Sequence, residues 1–388
     1  MSKYLLDTNV LMSTESYEKL FKDYAGHELI IGSNVIEELD HIKTREGAPG
    51  YQARRAIKAI KKNFDNFTFV ENGIKEEKVD NQIIGQAAEN KAIVLTNDVN
   101  VQLKAKAFFD LDVEFYNQQK KTIRSGYHII DASAEDFEMP ILPYGLYAIV
   151  KLGELSSVYK SLGAGEYIEV KPEKIGCKYT TGAVSPKDNY QVAAIDSLLR
   201  DDFTILTGKA GSGKTLLSLT YALRQIVSGK RDKLVIFANP VKTRGAEQLG
   251  FYTGNRTEKL IQNSIGAILS SKLGGMEAVD ELIDAGQLEI LPISDIRGYE
   301  VGQNSIMYIT EAQNLNVDLI KLAIQRCAEG SKIILEGDPT TQVDHYSFEG
   351  DGNGLVRAIE VFEGFEGFSH VNLPIIYRSE MADRADKM

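Results

Sequence analysis

The sequence predicts an α/β protein in three parts. A three-layer α/β domain spans residues 1–120, a short β-rich connector 121–185, and a second α/β domain 186–388. Three observations predict this. In the first and last parts, apolar runs too short for helices alternate with stretches whose apolar residues recur at helical spacing. The middle part changes texture, with Gly and Pro separating brief β-rich pieces. The length of 388 residues fits two or three domains at ~150 residues each.

Taken in order, Tyr4–Leu6, Leu29–Ile31, Phe67–Val70 and Ile93–Thr96 read as buried strands of a parallel sheet. Between them Ala53, Ala56, Ile57 and Ile60 share one helical face, as do Ile83, Ile84, Ala87 and Ala88. A Gly47–Gly50 loop precedes the first of these helices, and Ser33 or Asn34 caps the helix that carries Glu38. Gly145–Leu152 and Glu166–Val170 are the β pieces of the middle part, which holds no recognisable site. Beyond it, Phe203–Thr207, Lys233–Ala238, Leu288–Leu291, Ser305–Ile309, Lys332–Glu336 and Val371–Leu373 are strands, with helical patterns between most of them. That is enough for one nucleotide-binding domain and too little for two.

Composition narrows the classes. With 43% hydrophobic and 26% charged residues, the chain is not mainly disordered, collagen-like or coiled-coil. Lys plus Arg number 44 against 55 Asp plus Glu, a formal net charge of −11, so any polyanion must be held by a local patch. The strongest patch is His41–Lys62, where Lys43, Arg45, Arg54, Arg55, Lys58, Lys61 and Lys62 face the single Glu46. No apolar run approaches the ~20 residues that span a bilayer. The N-terminal MSKYLLDTNVLMS, interrupted by Asp7, lacks a signal-peptide pattern. Two cysteines, Cys177 and Cys327, make neither a disulfide framework nor a four-ligand zinc site, and a cytoplasmic location is expected.

The sharpest chemical signal is Gly208-Lys209-Ala210-Gly211-Ser212-Gly213-Lys214-Thr215, between the strand FTILT and the helical LLSLTYALRQI. It fits G-x-x-x-x-G-K-[ST]. Glycines let successive N–H groups converge on phosphate oxygens, and the following helix N-terminus adds positive potential. Lys214 is placed to reach the β- and γ-phosphates of ATP, and the Thr215 hydroxyl to coordinate Mg²⁺. Glu311, after the strand Ser305–Ile309, is placed to orient or deprotonate an attacking water. Most P-loop ATPases carry an Asp just before that Glu; here Thr310 adds no charge to the metal. Asp338 and Gln342, after the next strand, are candidates to sense the γ-phosphate, and Arg378 to supply the transition-state cation, ahead of Arg297 and Arg244.

In the first part, Asp7 and Asp98 follow strands and reach the carboxyl edge of the sheet, where ligands of open α/β sheets bind. Glu38 lies on a helix and Asp80 at the start of another. Four carboxylates converging there repel one another unless a divalent cation neutralises them, and oxygen-only ligands select Mg²⁺ or Mn²⁺. Such a cation can activate water for attack on a phosphodiester. The basic stretch beside Glu38 is a candidate guide for single-stranded RNA.

The runs GKAGSGKT, NPVKTRGAEQLGFYTGNRTEKL, DIRG, YITEAQN, GDPTTQVD and YRSE, over about residues 186–380, resemble the PhoH family of ATPases, relatives of superfamily 1 helicases. The resemblance implies a RecA-like core with Gln191 at the adenine-contacting position. Asn239 and Thr310 depart from the family pattern. LLDTNVLM, VIEELDHIK, VDNQIIGQAA and LTNDVNV, over about residues 1–115, resemble the PIN nuclease family. That implies a metal site of Asp7, Glu38, Asp80 and Asp98, with Asn9 steadying Asp7; Asn100 stands where some members carry a further acid.

Together the resemblances imply an ATP-dependent RNA helicase coupled to a metal-dependent endoribonuclease. One P-loop without a second RecA-like unit places ATP at a subunit interface, hence a homo-oligomeric ring, a hexamer by expectation. The alternatives are a nucleotide-controlled switch restraining a toxin-like ribonuclease, and a dead nuclease acting as an RNA adaptor.

Overall fold

A computed structural model describes residues 2–14, 17–45, 48–71, 79–116, 124–133, 137–176, 182–238, 269–271, 273–343 and 352–377. The chain forms two compact units, residues 1–122 and 123–388.

The first unit is a five-stranded sheet with helices on both faces. Its strands are β1 (Lys3–Leu6), β2 (Glu28–Gly32), β3 (Thr68–Val70), β4 (Ile93–Leu95) and β5 (Val113–Glu114), in the order β3-β2-β1-β4-β5 and all parallel. The helices are α1 (Thr8–Ser13), α2 (Tyr17–Asp23), α3 (Ser33–Ile42), α4 (Ala48–Lys62), α5 (Val79–Asn90) and α6 (Val99–Phe109). Leu5, Leu6, Ile30, Ile31, Val94 and Leu95 are buried in one core with Leu11, Leu39, Ala56, Ile84 and Val101. Burial on both faces is why the central strands read as unbroken apolar runs.

Three local expectations change. β3 is an edge strand rather than a buried one: Thr68 and Phe69 are exposed, and Phe69 stacks on Phe64 with ring centroids 4.6 Å apart. Residues 48–50 form the first turn of α4 instead of a loop, where Pro49 has no helical hydrogen bond to lose. The helix carrying Glu38 is capped by Gly32, not by Ser33 or Asn34, because the extended backbone of Gly32 leads straight out of β2.

The second unit contains two sheets. β6 (Tyr127–Asp131), β7 (Tyr147–Leu152), β8 (Leu155–Gly163) and β9 (Glu166–Val170) are hydrogen-bonded in that order. The two pairings from β7 to β9 are antiparallel. β8 escapes sequence reading because LSSVYKSLG is half polar. This sheet shares a core with the helix α7 (Asn189–Arg200) through Tyr147, Ile149, Val158 and Val170. Buried polar links reinforce the docking: the Tyr147 hydroxyl donates to Asp196 at 2.9 Å, and Lys160 pairs with Asp201 at 2.5 Å.

The larger sheet holds β10 (Phe203–Thr207), β11 (Lys233–Ala238), β12 (Leu288–Pro292), β13 (Ser305–Ile309), β14 (Lys332–Gly337) and β15 (Phe368–Asn372). Its order is β12-β11-β13-β14-β10-β15, all parallel. Among the described residues, helices α8 (Lys214–Val227), α9 (Met276–Asp284), α10 (Val317–Gln325) and α11 (Gly354–Phe362) accompany it. β15 starts three residues before the predicted strand, since buried Ser369 and His370 interrupt its apolar signal. Among the described residues no helix is long and apolar enough to cross a membrane.

Candidate functional site

In the second unit, β10 ends in the glycine loop and α8 begins at Lys214. Gly208, Gly211 and Gly213 have φ of 139°, 87° and 103°, conformations that favour glycine. A Cβ on Gly208 would also lie 2.4 Å from the Leu373 carbonyl. Lys214 folds back over the loop, donating to the carbonyls of Gly208 (2.6 Å) and Lys209 (3.2 Å). The loop, the α8 N-terminus and the ends of β13 and β14 enclose a cleft of about 420 Å³. Ala210, Gly211, Gly213, Lys214, Thr215, Glu311, Glu336 and Gln342 are among its lining residues.

Parallel pairing of β13 with β14 places Ile309 beside Leu335, so Thr310 and Glu336 emerge side by side. Glu336 is 2% exposed. Its Oε1 accepts from Thr215 Oγ1 at 2.7 Å and Thr310 Oγ1 at 3.1 Å. Burial pushes its carboxyl above the usual carboxylate range, against the Tyr308, Thr215 and Thr310 hydroxyls and the charge of Lys214. Glu311, by contrast, is exposed at the cleft with a left-handed backbone, φ 53° and ψ 36°. Such strain in a non-glycine residue gathers at functional sites. Buried Gln313 ties the edge together. Its Nε2 donates to Glu311 Oε2 (2.6 Å) and the Gln342 carbonyl (3.0 Å), and its Oε1 accepts from the Asp338 amide (3.1 Å).

Gln191 caps the rear of the loop, its Nε2 donating to the Ser212 carbonyl at 3.2 Å. Tyr377 seals the flank: its amide donates to the Gly211 carbonyl at 3.0 Å, its hydroxyl bonds Asp188, and its ring lies 4.5 Å from Lys187 Nζ.

Asp338 also lines the cleft. Its carboxylate is spent on its own turn, accepting from the Thr340 amide and hydroxyl and from the Thr341 amide and hydroxyl. Glu336, Gln313 and Tyr377 were not singled out by sequence. The available signal for Glu336 was Thr310: where one strand end lacks its acid, the neighbouring strand end carries one. Asn239, Arg244 and Arg378 lie outside the described residues.

In the first unit, β1 and β4 deliver Asp7 and Asp98 to the same edge. Asp7 is 5% exposed, and its Oδ2 accepts from Asn9 Nδ2 and Thr96 Oγ1, each at 2.5 Å. The Asn97 amide donates to Asn9 Oδ1 at 2.9 Å, and the Asp98 amide to Thr96 Oγ1 at 3.0 Å. Glu38 accepts from Thr8 Oγ1 at 2.5 Å. Burial, with the nearby Glu38 charge adding to it, pushes the Asp7 carboxyl up to about 6. Asp98 Oδ1 caps α6 through the Asn100 (2.7 Å) and Val101 (3.4 Å) amides. Asp80 sits in the first turn of α5, and its side chain lies outside the described residues. Among the described residues no three His, Cys, Asp or Glu side chains gather closely enough to hold a metal, and no Lys or Arg pairs with Asp7, Glu38 or Asp98. Buried acid oxygens without a cationic partner are the donor chemistry that Mg²⁺ or Mn²⁺ satisfies.

In the basic stretch, Arg54, Lys58, Lys61 and Lys62 are exposed. Arg55 instead turns inward, donating to the Met12 (3.1 Å) and Thr14 (3.0 Å) carbonyls at the end of α1.

Fold and sites define a PIN domain joined to a P-loop nucleotide-binding domain of the PhoH type. The model of PhoH-like proteins matches residues 183–387, and that of the PIN domain residues 4–114. The chain belongs to the PhoH-like protein family. It is 28% identical to Protein PhoH2 of Bacillus subtilis, covering 94% of each chain. It is 25% identical to Protein PhoH2 of Thermobispora bispora, covering 99% of this chain and 96% of that one. Among solved structures, a domain of a functionally unknown protein from Methanocaldococcus jannaschii covers 32% of this chain and 97% of that one, at 20% identity and a TM-score of 0.27.

Proposed function

We propose that the chain hydrolyses ATP to draw single-stranded RNA, as a helicase or translocase, towards a metal-dependent PIN endoribonuclease in the cytoplasm. Residues 1–120 form the nuclease, 121–185 the connector and 186–388 the ATPase. The observation that carries this reading is the cleft where Lys214, Thr215, Glu311 and Glu336 face one another over the glycine cradle. The loop amides and Lys214 bind and orient the phosphates, and Gln191 contacts the adenine. Glu311 positions and deprotonates the attacking water, Gln342 senses the γ-phosphate, and Arg378 stabilises the developing charge. Mg²⁺, when bound through Thr215, neutralises phosphate charge.

In the nuclease, Asp7, Glu38, Asp80 and Asp98 hold the cation, Mg²⁺ or Mn²⁺, with Asn9 and Thr96 fixing the Asp7 carboxylate. The cation supplies activated water and charge neutralisation at the phosphodiester. The exposed cations of α4 guide the RNA strand. A hexameric ring follows from the single RecA-like unit, which needs a neighbour to close its nucleotide cleft.

The test is a cleavage assay on labelled RNA and DNA oligonucleotides in Mg²⁺ and Mn²⁺, with and without ATP. RNA should be cut faster with ATP, the stimulation should vanish in Lys214→Ala and Glu311→Gln, and EDTA should abolish all cleavage. Cleavage indifferent to ATP refutes coupling. Light scattering that finds only monomer with nucleotide refutes the ring. Thr310 supports a second reading, a switch driven by nucleotide binding alone; ATP stimulation surviving in Glu311→Gln is its signature.

A further inference from the structure

The acid missing before Glu311 has a substitute on the neighbouring strand. We infer that Glu336 is the carboxylate that holds the divalent cation of the bound nucleotide, jointly with Thr215. The inference deepens the nucleotide-binding reading of this cleft and rests on it.

Four observations carry it. First, β14 lies between β13 and the loop strand β10, with Leu206 beside Glu336 in register. An acid at this strand end is therefore one strand nearer the phosphate loop than residue 310. Second, Glu336 Oε1 and Thr215 Oγ1 are 2.7 Å apart. Adjacent corners of an octahedron with Mg²⁺–oxygen distances of 2.0–2.1 Å are separated by about 2.9 Å. The two oxygens thus already stand at the spacing of neighbouring ligands.

Third, Glu336 is under-satisfied. Among the described residues its buried Oε2 has no partner beyond the neighbouring Tyr308 hydroxyl. Glu336 has no ion-pair partner there either, because the Lys214 ammonium is engaged by the Gly208 and Lys209 carbonyls. A carboxylate kept this deep in the wall of a phosphate-binding cleft, with hydroxyl neighbours and no ion-pair partner among the described residues, is a donor whose charge a cation would balance. Fourth, the other acids at the cleft are committed elsewhere. Asp338 is consumed by its turn, and Glu311 is held at the exposed mouth by Gln313. Thr310 then completes the set, its hydroxyl donating to Oε1 and fixing the rotamer of Glu336.

Manganese is the probe, read by electron paramagnetic resonance and by fluorescent ATP-analogue binding in Mn²⁺ and in EDTA. In the full chain, Glu336→Gln should not weaken analogue binding in EDTA, because a neutral amide repels metal-free phosphates less than a carboxylate does. It should weaken Mn²⁺ binding to the analogue complex at least tenfold and lose the broadening of the bound-manganese spectrum. The double variant Thr310→Asp/Glu336→Thr, which returns the acid to β13, should recover most of the manganese affinity. It also keeps the test informative if Glu336→Gln folds poorly. Unchanged manganese affinity in Glu336→Gln, or equal losses with and without metal, overturns the inference and leaves nucleotide binding standing. A wild-type chain that binds no analogue in either condition overturns the nucleotide reading itself.

Discussion

Lys332 begins β14, the strand that ends in Glu336, and it is 1% exposed. Its Nζ lies within hydrogen-bond reach of the carbonyls of Asp201 and Ser197 and of Thr204 Oγ1, with the Tyr221 ring 5.1 Å away. Burial pulls its pKa down from 10.5 to about 7, partly opposed by the charges of Asp201 and Asp202. Between pH 7 and 10.5 the unfolded chain therefore holds a proton that the folded chain has released. Stability must rise with pH across that window, with a limiting slope of about 1.4 kcal/mol per pH unit. Allowing for half-titration at pH 7, the gain from pH 7 to pH 9 is about 2 kcal/mol. Lys332→Met abolishes this gain, while its lost hydrogen bonds cost the same at both values. The stability gap between wild type and variant should widen by that amount. Urea unfolding followed by circular dichroism at pH 7, 8 and 9 measures it, since the chain has 18 Tyr and no Trp for fluorescence. Parallel curves would refute the assignment of a neutral Lys332 in the folded state.

Lys214→Ala should weaken ATP binding about 10- to 150-fold, from the ~1.5–3 kcal/mol of a charge-assisted contact, as measured by calorimetry; RNA cleavage without ATP should persist. Asp7→Asn should lower RNA cleavage at least about 100-fold yet leave ATP turnover within twofold, read by paired gel and phosphate-release assays. Gln313→Ala should cut ATPase kcat about tenfold with little change in KM, because it frees Glu311 and leaves the Asp338 amide unpaired; an equal rise in KM would instead indicate lost nucleotide binding.

How much of this was legible depended on whether one residue could announce its role alone. The phosphate loop announces itself because its chemistry needs glycines, a Lys and a Thr in fixed order. The buried strands β1, β2, β4, β10, β11 and β13 declare themselves by continuous apolar runs. β8 and the start of β15 do not, since Ser, Lys and His in them are satisfied by tertiary partners: Lys160 by Asp201, and His370 by Thr207 at 2.8 Å. Arg55 looked like one of several solvent-facing cations, and only the position of α1 converts it into a helix-end donor. Glu336 was hidden because its meaning depends on register. Until β14 is known to pair with both β10 and β13, a Glu at a strand end is an ordinary residue.

The order of the larger sheet has a consequence for synthesis on the ribosome. β10, which carries the phosphate loop, is flanked by β14 and β15, and both are translated more than a hundred residues after it. A nascent chain translated just past the loop has already produced β1 to β5 of the first unit, yet carries the loop on a strand whose two neighbours do not exist. Because domains fold as they emerge, the N-terminal unit can be finished while the loop still lacks both flanking strands. Competence to hold nucleotide is thus delayed until β14 and β15 have both been made.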